Sequence, residues 1–155
     1  MAKRRIRTNA NVPAKGRLRD MADQLWNRAI RDDWDNKCAV CSRDVTEAHH
    51  LIPRQNELFR YDLENGIALC TQHHKFDADI APHQNAAGWM EWLWEHQEYR
   101  AEWYAANCRS QFTGTKTAIY YCDTIRILAP FVDSEDYDRI VGIKFGRWLE
   151  EQAGQ

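Results

Sequence analysis

Two pairs of metal-ligand residues, with 28 residues between them, constrain this 155-residue chain more than any other feature. Cys38-x-x-Cys41 and Cys70-x-x-His73 can each present two ligands to one metal ion. Three thiolates and one imidazole suit a closed, tetrahedral zinc site. The cysteine total of five is odd, and three of the five have this spacing, which favours metal over a disulfide framework. The neighbouring strands are short, so we expect zinc to supply much of the local stability.

Further residues suited to catalysis lie between the two pairs and directly after them. His49 and His50 are adjacent in a predicted strand, Asn65 precedes the second pair, and His74 follows it. Adjacent strand residues face opposite ways, so two neighbouring histidines can serve different roles. A histidine that titrates near neutral pH is suited to activate water. The alternatives are two solvated histidines and an ordinary Asn-Gly turn.

This order of residues resembles the HNH endonuclease family, whose ββα-metal core cuts nucleic acid with one divalent ion. The resemblance is strong over residues 38–77, and similarity to small phage-encoded HNH proteins extends over residues 17–105. It implies that His50 is the general base and that His49 and His74 bind the catalytic ion. It also implies that Asn65 holds the loop and orients the base.

The last ligand of the catalytic ion departs from the family pattern, since Ala78 stands where many relatives have another histidine. Asp77, one helical turn after His74, is the expected replacement, with Asp79 and His83 as alternatives. A carboxylate favours Mg²⁺ or Mn²⁺, with Ni²⁺ or Zn²⁺ as further candidates. Three basic residues around the motif are expected to contact phosphates of the nucleic acid: Arg54, Arg60 and Lys75.

Positive charge is concentrated at the N-terminus. The formal net charge of the chain is −2, yet residues 1–19 hold seven basic and no acidic side chains, which leaves −9 on the remainder. We interpret residues 1–16 as a basic arm that binds phosphates without reading sequence. The alternative is a disordered N-terminus that only faces solvent.

The pattern of apolar residues predicts a mostly helical chain around a small sheet. An amphipathic helix is predicted over residues 17–32, and two short strands are predicted at residues 48–52 and 67–69. A short helix is expected from residue 71 to residue 78. The tryptophan-rich residues 84–106 indicate one long helix whose rings form a core seam rather than a base-stacking surface.

Residues 107–116 are predicted to be a loop, and two further helices follow. The first covers residues 117–128, although its β-branched content also permits a strand. The second begins at the expected cap Ser134 and carries apolar residues on one face as far as Leu149.

These patterns together predict an α+β protein with an HNH ββα-metal core inside a mostly helical chain. We expect a nuclease domain over residues 17–106 and a helical extension over residues 107–155 packed on the same domain. The expected function is hydrolysis of phosphodiester bonds in DNA. We expect the DNA to be double-stranded. Three alternatives remain open: a zinc-stabilised nucleic-acid-binding module without catalysis, an HNH ribonuclease, and an adaptor that docks through its aromatic C-terminal helices.

The sequence also bears on location. It has no run of about 18 apolar residues of the kind that spans a membrane. The basic start is not followed by the apolar region of a signal peptide. We therefore expect a cytoplasmic protein of a bacterial or phage-infected cell, without a membrane partner.

Overall fold

The computed structural model describes residues 12–45 and 47–154, which form helices and one two-stranded sheet. This α+β architecture confirms the predicted fold class. The regular elements, in chain order, are α1 (Lys15–Asp33), β1 (Glu47–His50), a 3-10 turn (Leu63–Asn65), β2 (Gly66–Leu69), a π turn (Gln72–Phe76), α2 (Ala86–His96), α3 (Glu98–Asn107), α4 (Ala118–Leu128), a 3-10 turn (Ala129–Phe131), α5 (Ser134–Val141) and α6 (Ile143–Ala153). None of the described helices is both long enough and apolar enough to cross a membrane.

The chain divides into two compact units. One consists of the residues up to Trp26 together with those from Thr115 onward, and the other is Asn27–Gly114. The second unit contains every residue that the sequence predicts for zinc, the catalytic ion or catalysis. Most of the predicted basic arm, residues 1–11, lies outside the described residues.

The predicted apolar stripe of α1 is buried. Seven residues at helical spacing are each at most 3% exposed: Leu18, Met21, Ala22, Leu25, Trp26, Ala29 and Ile30. After the helix, Asp35 and Asn36 adopt positive φ angles of 51° and 56°, which turn the chain toward the first cysteine pair. Asn and Asp tolerate this conformation better than most residues, which explains why the turn occurs here.

The sheet places the histidine pair above the core of the second unit. β1 pairs with β2 in antiparallel register, with His49 opposite Ile67 and His50 opposite Gly66. All four residues of β2 are buried. Three residues of β2 belong to a cluster of ten buried residues: Cys38, Val45, Leu51, Ile67, Ala68, Leu69, Cys70, Trp89, Leu93 and Ala101. Trp89 therefore lies in the core, as the aromatic seam predicts.

Two helices predicted to be continuous are each divided into two. The tryptophan-rich segment breaks at Gln97, whose backbone is not helical (φ −138°, ψ 53°). The C-terminal segment breaks at Gly142, which has φ +86°, a conformation that glycine adopts at little cost. The intervening residues 118–128 are helical, so the strand alternative is wrong. The cap of α5 is Asp133 rather than Ser134, because the Asp133 carboxylate accepts from the Asp136 N–H at 2.9 Å.

Candidate metal centres and active site

The first candidate site is a cluster of thiols and one imidazole at the end of the sheet. Its first two ligands lie in a turn in which the Cys38 N–H donates to the Arg43 carbonyl at 2.7 Å and the Ser42 N–H donates to the Cys38 carbonyl at 2.9 Å. The third ligand directly follows β2, and the fourth lies in the π turn. Their ligand atoms lie within 4.8 Å of one another: Cys38, Cys41, Cys70 and His73.

The distances within this cluster fit a tetrahedral zinc site. The Cys41 and Cys70 sulfurs are 3.7 Å apart. The His73 Nδ1 lies 3.7 Å from the Cys38 sulfur and 3.3 Å from the Cys70 sulfur. Tetrahedral zinc with Zn–S near 2.3 Å and Zn–N near 2.05 Å would set these separations at about 3.8 Å and about 3.6 Å. A disulfide would need about 2.05 Å between sulfurs. The four side chains can therefore hold zinc, with no ligand position left open.

Electrostatics in the cluster also favour a cation. Burial raises the pKa of the Cys38 thiol, but hydrogen bonds from the backbone amides of Cys70, Cys41 and Val40 outweigh burial and lower that pKa to about 7. The pKa of Cys41 is raised by burial and by the neighbouring sulfurs of Cys70 and Cys38. Closely packed thiolates repel one another, so a metal ion among them would stabilise their ionised form.

A second cluster consists of three histidines and shares the π turn with the first. His49 comes from β1, His74 from the π turn, and His83 from the loop before α2. The His49 Nδ1 is 3.0 Å from the His74 Nε2, and the His83 Nε2 is 3.1 Å from the same atom. Ligands held about 2.1 Å from an ion at right angles to one another are about 3.0 Å apart. Three imidazoles in this arrangement can hold one divalent ion and leave positions for water and substrate.

Glu47 fixes the orientation of the central histidine. The His74 Nδ1 lies 3.2 Å from the Glu47 Oε2, so the Nδ1–H donates to the carboxylate. In the neutral ring the Nε2 then carries the lone pair and faces the other two histidines. A carboxylate behind a metal-binding histidine is a common way to fix its tautomer. Glu47 also pairs with the Lys75 ammonium at 3.3 Å.

Two rings of this cluster, His49 and His74, have lowered pKa values, which favour the neutral form that binds metal. Burial lowers the pKa of His49 to about 3, with further lowering by the charges of His74, His83 and His50. Burial also lowers the pKa of His74, although the Glu47 carboxylate opposes that shift. Neutral imidazole is the ligand form, so the environment prepares both rings to bind an ion.

His50 has one ring nitrogen committed to the backbone. Its Nε2 is 2.9 Å from the Arg60 carbonyl oxygen. A carbonyl can only accept, so the Nε2 carries the hydrogen, and the Nδ1 of the neutral ring is the basic nitrogen. This tautomer is the one that a general base acting through Nδ1 requires.

Asn65 holds the loop that supplies this carbonyl. Its side chain is fully buried, its Oδ1 accepts from the Ile52 N–H at 2.6 Å, and its Nδ2 donates to the carbonyls of Ile52 and Phe59 at 3.0 Å each. These bonds fix both ends of residues 52–59, next to Arg60. Asn65 therefore holds the loop that leads to the Arg60 carbonyl, to which the His50 ring is bonded.

Comparison with protein-family models matches residues 38–78 to the HNH endonuclease family. We refer to residues 38–78, which carry this similarity, as the HNH segment. The resemblance seen in the sequence is thus confirmed over this range, and it marks a nuclease-type segment with residues suited to metal binding. No curated protein and no solved structure matches the chain significantly.

The structure places Asp77, the expected ligand, away from the histidine cluster of the HNH segment. The Asp77 Oδ1 accepts from the backbone amides of Asp79 and Ile80 at 2.9 and 3.0 Å. Its Oδ2 lies 3.8 Å from the Nε2 of His73, which belongs to the cluster of three cysteines and one histidine. Within the described residues, the third member of the histidine cluster is His83, one of the two alternatives to Asp77.

The three predicted phosphate-binding residues of the HNH segment differ in exposure. Arg60 is only 2% exposed, and its guanidinium donates to the Arg54 carbonyl at 3.0 Å and pairs with Glu57 at 3.3 Å. It is therefore part of the loop interior and is withdrawn as a phosphate contact. Arg54 is exposed. Lys75 is partly exposed and lies beside His74, where it pairs with Glu47.

Sequence reasoning missed the roles of two residues near the HNH site. The first is Glu47, the acceptor for the His74 ring. Its position two residues before His49 could have indicated it, because residues two apart in a strand share a face. Arg60 was assigned to the surface, and nothing in its local sequence distinguishes a buried guanidinium from an exposed one.

Proposed function

We propose that this chain is a metal-dependent endonuclease whose HNH segment hydrolyses phosphodiester bonds in DNA. One observation carries the proposal: ring nitrogens of His49 and His83 lie 3.0 and 3.1 Å from the His74 Nε2, and the adjacent His50 ring has its Nε2 bonded to a backbone carbonyl. Phosphodiester hydrolysis needs an activated water, neutralisation of phosphate charge and help for the leaving oxygen. This arrangement offers groups for each need.

The residues divide these tasks. His50 accepts a proton from the attacking water at Nδ1, because its other nitrogen is already committed to the Arg60 carbonyl. His49, His74 and His83 would hold a divalent ion, which would neutralise charge on the phosphate and assist the leaving oxygen. Asn65 keeps the loop, and hence the His50 ring, in position. Lys75 and Arg54 supply positive charge for the flanking phosphates.

The four-ligand cluster serves the fold in this proposal. Its ligands join the turn at residues 38–41 to the end of β2 and to the π turn that carries His74. Zinc bound by His73 would hold the π turn in place. It would thereby also position His74, the next residue, in the histidine cluster. A closed site has no position for substrate, which assigns the zinc a structural role.

The catalytic ion follows from the donor set. The expectation of Mg²⁺ or Mn²⁺ depended on a carboxylate from Asp77, which lies outside the histidine cluster. Three imidazoles suit Zn²⁺, Ni²⁺ and other transition ions better than Mg²⁺, which prefers oxygen ligands. We therefore propose a transition-metal ion at this site.

Plasmid cleavage tests the proposal. Zinc-loaded protein is incubated with supercoiled DNA and, separately, with single-stranded RNA, in the presence of Mg²⁺, Mn²⁺, Ni²⁺ or added Zn²⁺. We expect DNA cleavage with a transition ion, and a rate loss of about 100-fold to 10,000-fold for His50→Ala, since a general base typically contributes that much. His96→Ala is the matched control, because His96 is exposed on α2 and belongs to neither cluster.

Each other outcome identifies a rival. DNA binding without cleavage under any metal would identify a non-catalytic module. Cleavage of RNA alone would identify a ribonuclease. Cleavage by His50→Ala at the wild-type rate would remove His50 from the mechanism, whatever the substrate.

A further inference from the structure

The unit Asn27–Gly114 contains a cavity that is not part of either metal-ligand cluster. It has a volume of about 220 Å³ and lies between the loop after β1 and the loop after α3. Pockets for drug-sized ligands run from about 300 to 1,000 Å³, so this one suits a smaller occupant. It opens to solvent, which permits a group attached to a larger molecule to enter.

The two loops around the cavity are fixed to each other. The Asn56 Nδ2 donates to the Ser110 carbonyl at 2.8 Å, and the Asn56 Oδ1 accepts from the Phe112 N–H at 3.0 Å. The Glu57 N–H donates to the Phe112 carbonyl at 2.8 Å. Asn56 itself is 8% exposed, so these bonds are shielded from water. The cavity is thus a formed feature of this unit.

The walls combine apolar surface with exposed polar side chains that can still form hydrogen bonds to a ligand. Pro53 and the Tyr104 ring provide apolar surface. The side chains of Gln55, Gln111 and Thr113 also line the cavity, and none of the three makes a side-chain hydrogen bond in the described part of the chain. Amides and hydroxyls of this kind both donate and accept.

The chemistry of the lining excludes phosphate and favours a neutral ring. No lining residue carries a charge at neutral pH, so nothing in the cavity compensates a phosphate. A planar heterocycle with donors and acceptors on its edge fits a small cavity with apolar walls and free amides. Nucleobases have these properties, and they stack on tyrosine rings in proteins that bind single strands.

The cavity shares a loop with the proposed general base. Its walls begin at Ile52, whose backbone is bonded to Asn65, and the same loop ends at the Arg60 carbonyl that holds His50. We propose that this cavity binds one unpaired nucleobase of the strand that the HNH segment cuts. The inference rests on the proposed nuclease function for the identity of the strand. It adds that the substrate presents an unpaired or readily extruded base near the scissile bond, since extrusion from a duplex costs energy that a single strand does not pay.

The test uses 2-aminopurine, a fluorescent base, placed at successive positions of a single-stranded DNA oligonucleotide. Zinc-loaded His50→Ala protein is used so that the oligonucleotide stays intact. We expect the emission to change at one position as protein is added. Gln55→Ala and Gln111→Ala, each in the His50→Ala background, should weaken that response by about 2-fold to 10-fold per lost hydrogen bond. Gln24→Ala in the same background is the matched control, because Gln24 is an exposed glutamine of α1.

The outcomes separate this inference from the nuclease proposal. Absence of any responding position, or a response that is the same in both glutamine variants as in the control, would overturn the cavity assignment. Plasmid cleavage by the wild type is measured in parallel. Cleavage without a responding base would support the nuclease proposal and contradict nucleobase binding in the cavity. A responding base without cleavage would support nucleobase binding and contradict the nuclease proposal.

Discussion

The two metal-ligand clusters share the π turn but differ in donors and in openness. The four-ligand cluster has three sulfurs and one imidazole, enough to fill all four positions of a tetrahedral zinc site. The histidine cluster has three imidazoles, includes the exposed His83, and leaves ligand positions unfilled. Neighbouring residues of one turn, His73 and His74, thus enter sites suited to different tasks. Ligand count and donor type, rather than position in the chain, thus distinguish a site suited to holding the fold from one suited to chemistry.

Removing a zinc ligand should have the largest effect. Cys41→Ala is expected to yield unfolded or insoluble protein, because structural zinc in zinc-finger peptides contributes about 10–16 kcal/mol and domains are stable by only about 5–15 kcal/mol. Zinc content and circular dichroism measure this. Cys108→Ala, a half-buried cysteine outside the cluster, should keep zinc and fold. A folded, zinc-free Cys41→Ala protein would contradict the structural role that distinguishes the four-ligand cluster from the histidine cluster.

Asn65 should matter to both stability and rate. Asn65→Ala leaves three buried backbone groups without their partner, so we expect a loss of on the order of 3 kcal/mol or more in the free energy of unfolding. Urea denaturation and cleavage rates measure the two effects. Asn56→Ala is a comparison, since Asn56 also joins loop segments but makes no bond to the ends of the loop that holds His50. Equal rate losses in the two variants would show that Asn65 has no specific link to His50.

The histidine cluster should respond to Glu47 while the zinc cluster does not. Glu47→Gln weakens the acceptor for the His74 Nδ1–H, and a second-layer change of this type typically costs about 10-fold to 100-fold in metal affinity. Calorimetric titration of zinc-loaded protein with Ni²⁺ measures it. Glu95→Gln, at an exposed glutamate of α2, is the control. Loss of the structural zinc in Glu47→Gln would show that the clusters are not independent.

The smallest effect concerns pH. The pKa of His49 is about 3 in the folded protein against an ordinary value of 6.5, so between these values the unfolded chain binds a proton that the folded chain does not. The free energy of unfolding must therefore fall on acidification below pH 6.5, by less than about 1.4 kcal/mol per pH unit because the ring is partly exposed. Urea denaturation at about pH 7 and about pH 5.5 should show a smaller fall for His49→Gln than for wild type. An identical fall in the free energy of unfolding for the two proteins would show that a group other than His49 is responsible for the pH dependence.

The sequence predicted the parts of both sites that depend on local spacing. The two ligand pairs of the zinc cluster are each three residues apart, and short turns make such pairs converge. Asp77 was misplaced because the prediction assumed α-helical geometry after His74. The turn is a π turn, in which the Asp77 N–H donates to the Gln72 carbonyl, and Asp77 itself is extended (φ −66°, ψ 122°).

Other features depend on tertiary contacts that no periodicity records. His83 reaches the cluster from an irregular loop, and the break at Gln97 has neither glycine nor proline to mark it. The break at Gly142, by contrast, was visible in the sequence, since glycine commonly ends a helix at positive φ.

Titration of zinc-loaded protein with Ni²⁺ tests the central claim most directly, because it asks whether the open histidine cluster binds an ion of its own. Calorimetry of the wild type should show one site in addition to the retained zinc. That site should be lost in His83→Ala and kept in Asp77→Ala, since His83 has a ring nitrogen beside the His74 Nε2 and Asp77 lies outside the histidine cluster. Loss of the site in Asp77→Ala together with its survival in His83→Ala would contradict the account.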